Sequence, residues 1–391
     1  MADSSKLWNF GFVYILACAF ASSVAFNMIM PITPDFAVYM GASLTFAGIF
    51  TGVFALAALF ARPFANVLGD RADKKLMLIL ALSANGLVVM LYAIAPNFAW
   101  LMPIRILHGI FFSAGITMSM VIGVFFVPKE RLGEGLGYIS VAFLIGTAAG
   151  PNLSIILTEN FSFHASFLVS GTITFLVGLA IIFLPYNHVK VESVKKKYSL
   201  NDFVALELLP NVILIAVLTI GIGLVNSYIV MLGGERGISG IGLFFVVNAV
   251  LLMITRPYLG KLSDRKGVHY AVIPGFIFTS MGLILIGFSY SLWMILIAAA
   301  IIAVGNSTAP ALQAESIRKL SIERRTVATG TFLIGIDLGM GLGMAFGGVF
   351  TDAFSFDAVF ISMGIFVFIA LGVYLLYLRK GRINFDALKN T

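Results

Sequence analysis

At 391 residues, 60% hydrophobic, 11% charged and with a mean hydropathy of +1.02, the chain cannot belong to the soluble globular class, where charged residues run about 25%. One cysteine, Cys18, excludes an internal disulfide, and four scattered histidines offer no metal-ligand spacing. The net charge of +7 is no sign of nucleic acid, because its distribution follows the apolar segments.

Those segments are predicted as transmembrane helices of about 20 apolar residues each. The first, 10–32, carries Asn27 midway and ends in Pro31-Ile-Thr-Pro34-Asp35, which puts Asp35 at its outer end. It is long enough to span and many spans follow, so neither a signal peptide nor a lipoprotein box at Cys18 is expected. The second, 43–66, runs into Arg62-Pro-Phe-Ala-Asn-Val-Leu-Gly-Asp-Arg-Ala-Asp-Lys-Lys-Leu76. Spans 76–95 and 100–125 are separated by little more than Pro96-Asn-Phe-Ala-Trp100 and form a tight antiparallel pair. The fourth contains Leu101-x-x-x-Arg105-x-x-His108-Gly109, and the fifth, 136–157, contains Gly146-x-x-x-Gly150-Pro151. The sixth covers 165–184. A polar run from Pro185 to about Leu209, with Lys195-Lys-Lys197, then reads as a solvated linker. Domains are therefore expected at 1–185 and 209–391, joined by a linker over 186–208.

The second half supplies spans 211–232, with Asn226 about where Asn27 falls in the first, then 241–259, 270–288, 292–313, 327–350 and 358–378. The eleventh holds Gly335, Gly339, Gly343 and Gly347 on one helix face, spacing that lets two membrane helices approach closely. Trp8, Trp100 and Trp293 fall near span ends, as interfacial anchors do. With twelve spans both termini share one side, and 21 of the 25 basic residues lie on it. By the positive-inside rule that side is cytoplasmic. Arg62, Arg105 and Arg256 fall inside spans, leaving Arg236 opposite.

The halves are copies. At an offset of 194, Arg62, Pro63, Leu68, Asp70 and Arg71 superpose on Arg256, Pro257, Leu262, Asp264 and Arg265. At 193, Glu130, Arg131, Gly137, Gly146 and Gly150 meet Glu323, Arg324, Gly330, Gly339 and Gly343. The fold class is all-α: twelve transmembrane helices in two pseudo-symmetric six-helix bundles.

Residues 66–75 and 260–269 resemble Gly-x-Leu-Ala-Asp-Arg-x-Gly-Arg-Lys, the loop signature of the major facilitator superfamily. The first copy has Asn66 and Asp73 in place of the glycines, and the second keeps Gly260 and Gly267. The fourth- and fifth-span motifs resemble that family's drug:proton antiporters, except that His108 replaces a Gln and Ser154-Ile155 a Gly-Gly. The resemblance implies secondary active transport by alternating access. It also implies a conformational latch in which Asp70, with Arg71, meets the start of the eleventh helix and Asp264, with Arg265, meets the fifth near Gly135. It assigns Arg105 to proton movement.

Charges inside a span are costly enough to count as functional candidates. Asp337 lies ten residues into the eleventh span, roughly 15 Å deep at about 1.5 Å per residue, where it could gain or lose a proton as water reaches either side. Asp35 and Arg105 sit at comparable depth and could pair, and His108 could titrate. Asn27, Asn226, Asn248, Asn306 and Gln313 are neutral candidates for a substrate cavity. No phosphate-binding loop is present, and no nucleophile or metal cluster is assembled, so no enzyme activity and no cofactor are expected. The expectation is a monomeric, proton-coupled exporter of a small molecule in a bacterial inner membrane, with protons and lipid as partners. The alternatives are a proton-coupled importer of a sugar or metabolite, and a membrane receptor or enzyme that moves nothing.

Overall fold

The computed structural model describes residues 7–71, 73–128, 132–186, 204–320 and 325–379. The side chains of 66–71, 120, 121, 124, 132–137, 325 and 326 lie outside that description. Its helices are α1 (Phe10–Tyr39), α2 (Leu44–Arg71), α3 (Lys74–Leu91), α4 (Leu101–Phe125), α5 (Leu132–Asn160) and α6 (Phe163–Ala180) in the first half. The second half has α7 (Leu209–Glu235), α8 (Leu243–Lys266), α9 (His269–Gly287), α10 (Leu292–Asn306), α11 (Ala309–Arg318), α12 (Arg325–Ala353) and α13 (Phe356–Arg379). Among the described residues there is no strand, and 12 stretches are long and apolar enough to cross a membrane.

Several spans run past their expected ends, α2 to Arg71 and α8 to Lys266 among them, and two differ in further ways. The first runs on to Tyr39 with Pro31 and Pro34 inside it, so Asp35 is helical. Between those prolines the Thr33 hydroxyl donates to the Ile29 carbonyl, keeping local backbone polarity satisfied in an apolar setting. The tenth span is interrupted: α10 stops at Asn306 and α11 restarts at Ala309 with a proline in its first turn. Pro310 has no N–H to continue the ladder, and the helix breaks there.

The chain forms two compact units. One holds α1, α2 from Val53 onward, and α3 to α6; the other holds Leu44–Gly52 of α2 together with α7 to α13. Within the first unit α1 packs on α5, and α3 on α4 and α6. The second repeats the scheme, α7 on α12 and α9 on α10 and α13. The duplication read from motifs is thus a duplication of helix pairs.

Glycine makes the leading pair in each unit. Lipid is as apolar as leucine, so close backbone packing must replace the hydrophobic drive. A Cβ on Gly146 would stand 2.2 Å from Ser23 Oγ, and one on Gly150 2.6 Å from the Val24 carbonyl. In the second unit a Cβ on Gly339 would stand 2.1 Å from the Ala216 carbonyl, and one on Gly343 2.0 Å from that of Ile220. Leu44–Gly52 joins the second unit in the same way: Gly48 meets the backbone of Gly348, and the Thr45 amide donates to the Asp352 carboxylate at 3.3 Å.

The two loop copies make their turn by different means. Asp73 is the N-cap of α3, its carboxylate accepting from the Lys75 and Leu76 amides at 2.8 and 3.1 Å. The matching Gly267 closes α8 at φ +105°, a conformation that side chains avoid. A Cβ on Gly260, the residue matching Asn66, would meet open space.

Candidate functional site

In the first unit the fourth-span motif builds an enclosed cation. A Cβ on Gly109 would lie 2.5 Å from the Phe54 carbonyl, so its absence brings α4 against α2. Arg105, His108 and Phe112 follow at helical spacing on that face of α4. All meet Phe54. The Arg105 guanidinium carbon is 4.6 Å from the Phe54 ring centroid, the His108 ring meets it edge-on at 4.8 Å, and the Phe112 ring lies at 5.2 Å. Arg105 is wholly buried, and a guanidinium over an aromatic face is held by the ring quadrupole where water is excluded. The buried Tyr92 hydroxyl stands 3.4 Å from His108 Nδ1. Phe26 of α1 stacks on Phe112 at 4.2 Å. Phe54 and Tyr92 complete this cluster and escape a sequence reading, because an aromatic in a span is ordinarily core.

Asp35 is half-buried and makes no hydrogen bond or ion pair among the described residues, so it is not ion-paired with Arg105 in this structure. Asn27 is half-buried at the α1–α5 crossing, its amide turned back to the Ser23 carbonyl at 2.8 Å.

In the second unit the Asn248 amide donates to the Ala299 carbonyl at 3.1 Å, tying α8 to α10. Asn226, Asn306 and Gln313 are half-buried on α7, α10 and α11. Asp337 is half-buried on α12. It lies two residues from both Gly335 and Gly339, so about 200° around the helix from the stripe that meets α7.

The latch residues separate. Asp70 and Arg71 end α2, and their side chains, like those near Gly135, lie outside the described residues. Asp264 instead has a partner within its own unit: Arg318 Nη1 donates to its carboxylate at 3.0 Å, while Arg265 is exposed. Arg318 Nε also approaches Glu315 Oε2 at 3.7 Å. Glu315 is buried, and its Oε1 has no partner among the described residues. Reading the tenth span to residue 313 left this carboxylate out; the acidic residue so close to that boundary was the available signal. Arg236, the basic residue left on the outer side, serves structure. It donates to the carbonyls of Ile286, Gly287 and Ser289 at the end of α9 and to the Asp357 carboxylate, and it lies 4.4 Å over the Tyr290 ring.

Among the described residues, no three His, Cys, Asp or Glu side chains gather as metal ligands. A dozen apolar spans that enclose ionisable side chains define a multi-pass membrane protein. The chain belongs to the Major Facilitator Superfamily, whose sequence profile matches residues 15–266 and again 211–388. Its similarities run to transporters rather than enzymes. It is 30% identical over 287 residues to a multi-drug resistance efflux pump PmrA homolog of Lactococcus lactis, covering 68% of this chain and 69% of that one. It is 26% identical over 308 residues to multidrug resistance protein MdtG of Escherichia coli, covering 74% of each. Among solved structures, the nucleoside transporter NupG superposes with a TM-score of 0.76 at 10% identity over 95% of this chain and 99% of that one. A POT family transporter in complex with 5-aminolevulinic acid gives 0.80 at 12%, over 96% and 99%. At such identity these two speak for the fold alone.

Proposed function

We propose that this transporter exports a small molecule in exchange for protons across a bacterial inner membrane, as a monomer with both termini in the cytoplasm. The observation that carries export is the similarity to efflux proteins over about two thirds of the chain. Proton coupling is supported by the enclosed Arg105–His108–Tyr92 cluster and by the intramembrane carboxylates Asp337 and Asp35. Asn27, Asn226, Asn248, Asn306 and Gln313 contribute neutral hydrogen-bonding groups to the substrate cavity. Residues 1–185 and 209–391 act as the two moving bodies, joined by 186–208. Asp70 with Arg71 latches one cytoplasmic closure through the start of α12, and Asp264 with Arg265 mirrors it. The Asp264–Arg318 bond is then the resting partner of the second latch.

Everted membrane vesicles test the reading, with ethidium as the transported probe. Respiration acidifies their interior, and an antiporter should then concentrate ethidium inside and release it when a protonophore collapses the gradient. Accumulation that ignores the protonophore overturns proton coupling. Ethidium expelled from the vesicles on energisation overturns the direction.

A further inference from the structure

We infer that Arg256 binds the carboxylate of a small organic anion beside the seam between α8 and α10, with the Asn306 side-chain amide as a further donor. The inference goes beyond the export reading: it names a ligand by charge and chemistry and depends on neither direction nor protons.

Arg256 lies inside a membrane span, ten residues before the end of α8 at Lys266, so roughly 15 Å from that charged end at about 1.5 Å per residue. Phe245, Ala249, Leu252, Leu259 and Ser263 of α8 are buried, and Arg256 falls into their run of four- and three-residue steps. It therefore stands on the protein face of the helix. Val250, Ile254 and Tyr258 are exposed and mark the opposite, lipid face. A cation within a span is costly unless it is paired. Arg256 makes no hydrogen bond or ion pair among the described residues. Asp264 and Glu315, the carboxylates farther along α8 and α11, are both met by Arg318. All three nitrogens of Arg105 are enclosed, whereas of Arg256 only Nε is. The two terminal nitrogens of its fork thus reach open space. Helical Cβ bonds tilt toward the helix N-terminus, so the side chain leaves α8 toward the middle of the span and away from the turn beyond Lys266.

A second observation comes from α10. Asn248 bonds Ala299 at 3.1 Å and Thr255 bonds Ser307 at 2.5 Å, so numbers rise together along the two helices and α8 and α10 run parallel. Arg256 is one step after Thr255, and Asn306 is one step before Ser307. In parallel right-handed helices, a step forward on one and a step back on the other each turn by about 100° to the same side of their contact. Arg256 and Asn306 therefore flank the Thr255–Ser307 bond on one side of the seam. Asn306 is half-buried, its Oδ1 is enclosed without a partner among the described residues, and its Nδ2 is not enclosed. The two hydroxyls are committed to each other and to the carbonyls of Leu251 and Ala303. What faces the open space is a guanidinium fork with an amide N–H donor. A carboxylate accepts two parallel bonds from such a fork and supplies the missing negative charge. An ammonium would meet like charge, and a neutral amide would leave the cation unpaired. A lipid phosphate would have to come from the opposite face of α8.

The full chain in phosphatidylcholine nanodiscs is titrated with 2-naphthoate and with its neutral isostere 2-naphthamide, following naphthyl fluorescence against empty nanodiscs. The carboxylate is expected to bind about tenfold more tightly than the amide, equivalent to ~1.4 kcal/mol. Arg256→Gln should abolish that preference. Arg256→Lys keeps the charge without the fork and should reduce it several-fold, as should Asn306→Leu. These two variants decide the matter should Arg256→Gln fail to fold. No preference in the wild-type chain, or an unchanged preference in a folded Arg256 variant, overturns the inference. Loss of naphthoate binding when phosphatidylglycerol replaces phosphatidylcholine also overturns it, because the fork would then serve a lipid headgroup.

Discussion

Arg236 shows how much one side chain can hold in a membrane protein. Its guanidinium serves two carbonyls of α9, that of Ser289 just beyond it and the Asp357 carboxylate while only 5% of the side chain is exposed. Arg236→Gln should therefore lower stability by about 2 kcal/mol, since hydrogen bonds to charged groups are worth ~1.5–3 kcal/mol. A fluorescence melt in detergent reads the change. Asp357→Asn should cost less, because 39% of the aspartate side chain is exposed and solvent replaces part of what is lost. The loop copies offer a finer test. Asp73→Ala removes the cap of α3 and should cost ~1 kcal/mol. Gly267→Ala forces a side chain into positive φ and should lower the same melting temperature.

At the scale of elements, the pairing of α7 with α12 depends on an absence of side chains. Gly339→Leu or Gly343→Val would drive carbon into carbonyl oxygens that lie 2.1 and 2.0 Å from the Cβ position, and the helices would have to separate. Either variant should sharply reduce the amount of folded protein recovered from membranes, measured as the monodisperse fraction after extraction. Gly260→Ala and Gly372→Ala meet nothing within 4 Å and should be recovered at wild-type levels, with the alanine slightly favouring the helix. Equal losses at all four positions would mean that the stripe has no special role. The glycine spacing was plain in the sequence because it is periodic along one helix. The opposing surface was not, because Ala216 and Ile220 are ordinary apolar residues of a different helix, more than a hundred positions away.

At the scale of the molecule, proton coupling and the latches make separate predictions. Asp337→Asn keeps size and hydrogen-bonding capacity but can carry no charge. It should abolish ethidium accumulation driven by a pH gradient while leaving exchange of labelled for unlabelled ethidium measurable. Uphill pumping by the variant under a pH gradient alone would make Asp337 structural and leave coupling to Asp35, Arg105 or His108. Asp70→Asn should reduce disulfide crosslinking between cysteines introduced at the cytoplasmic ends of the two halves. Unchanged crosslinking, with the variant present in the membrane, would remove the latch.

What the sequence determined by itself was set by quantities local to the chain: twelve apolar runs, their charged flanks, the glycine period and the repeat offsets of 194 and 193. A span must satisfy its own backbone, so its length and composition nearly suffice to find it. Even the break in the tenth span left a local trace in Pro310. Tertiary structure decided which side chains meet. Phe54 beneath Arg105, Tyr92 beside His108 and Arg318 beside Asp264 each join residues of different elements. In a chain that is 60% hydrophobic, each of those aromatics reads like any other core residue until helix packing gives it a charged neighbour.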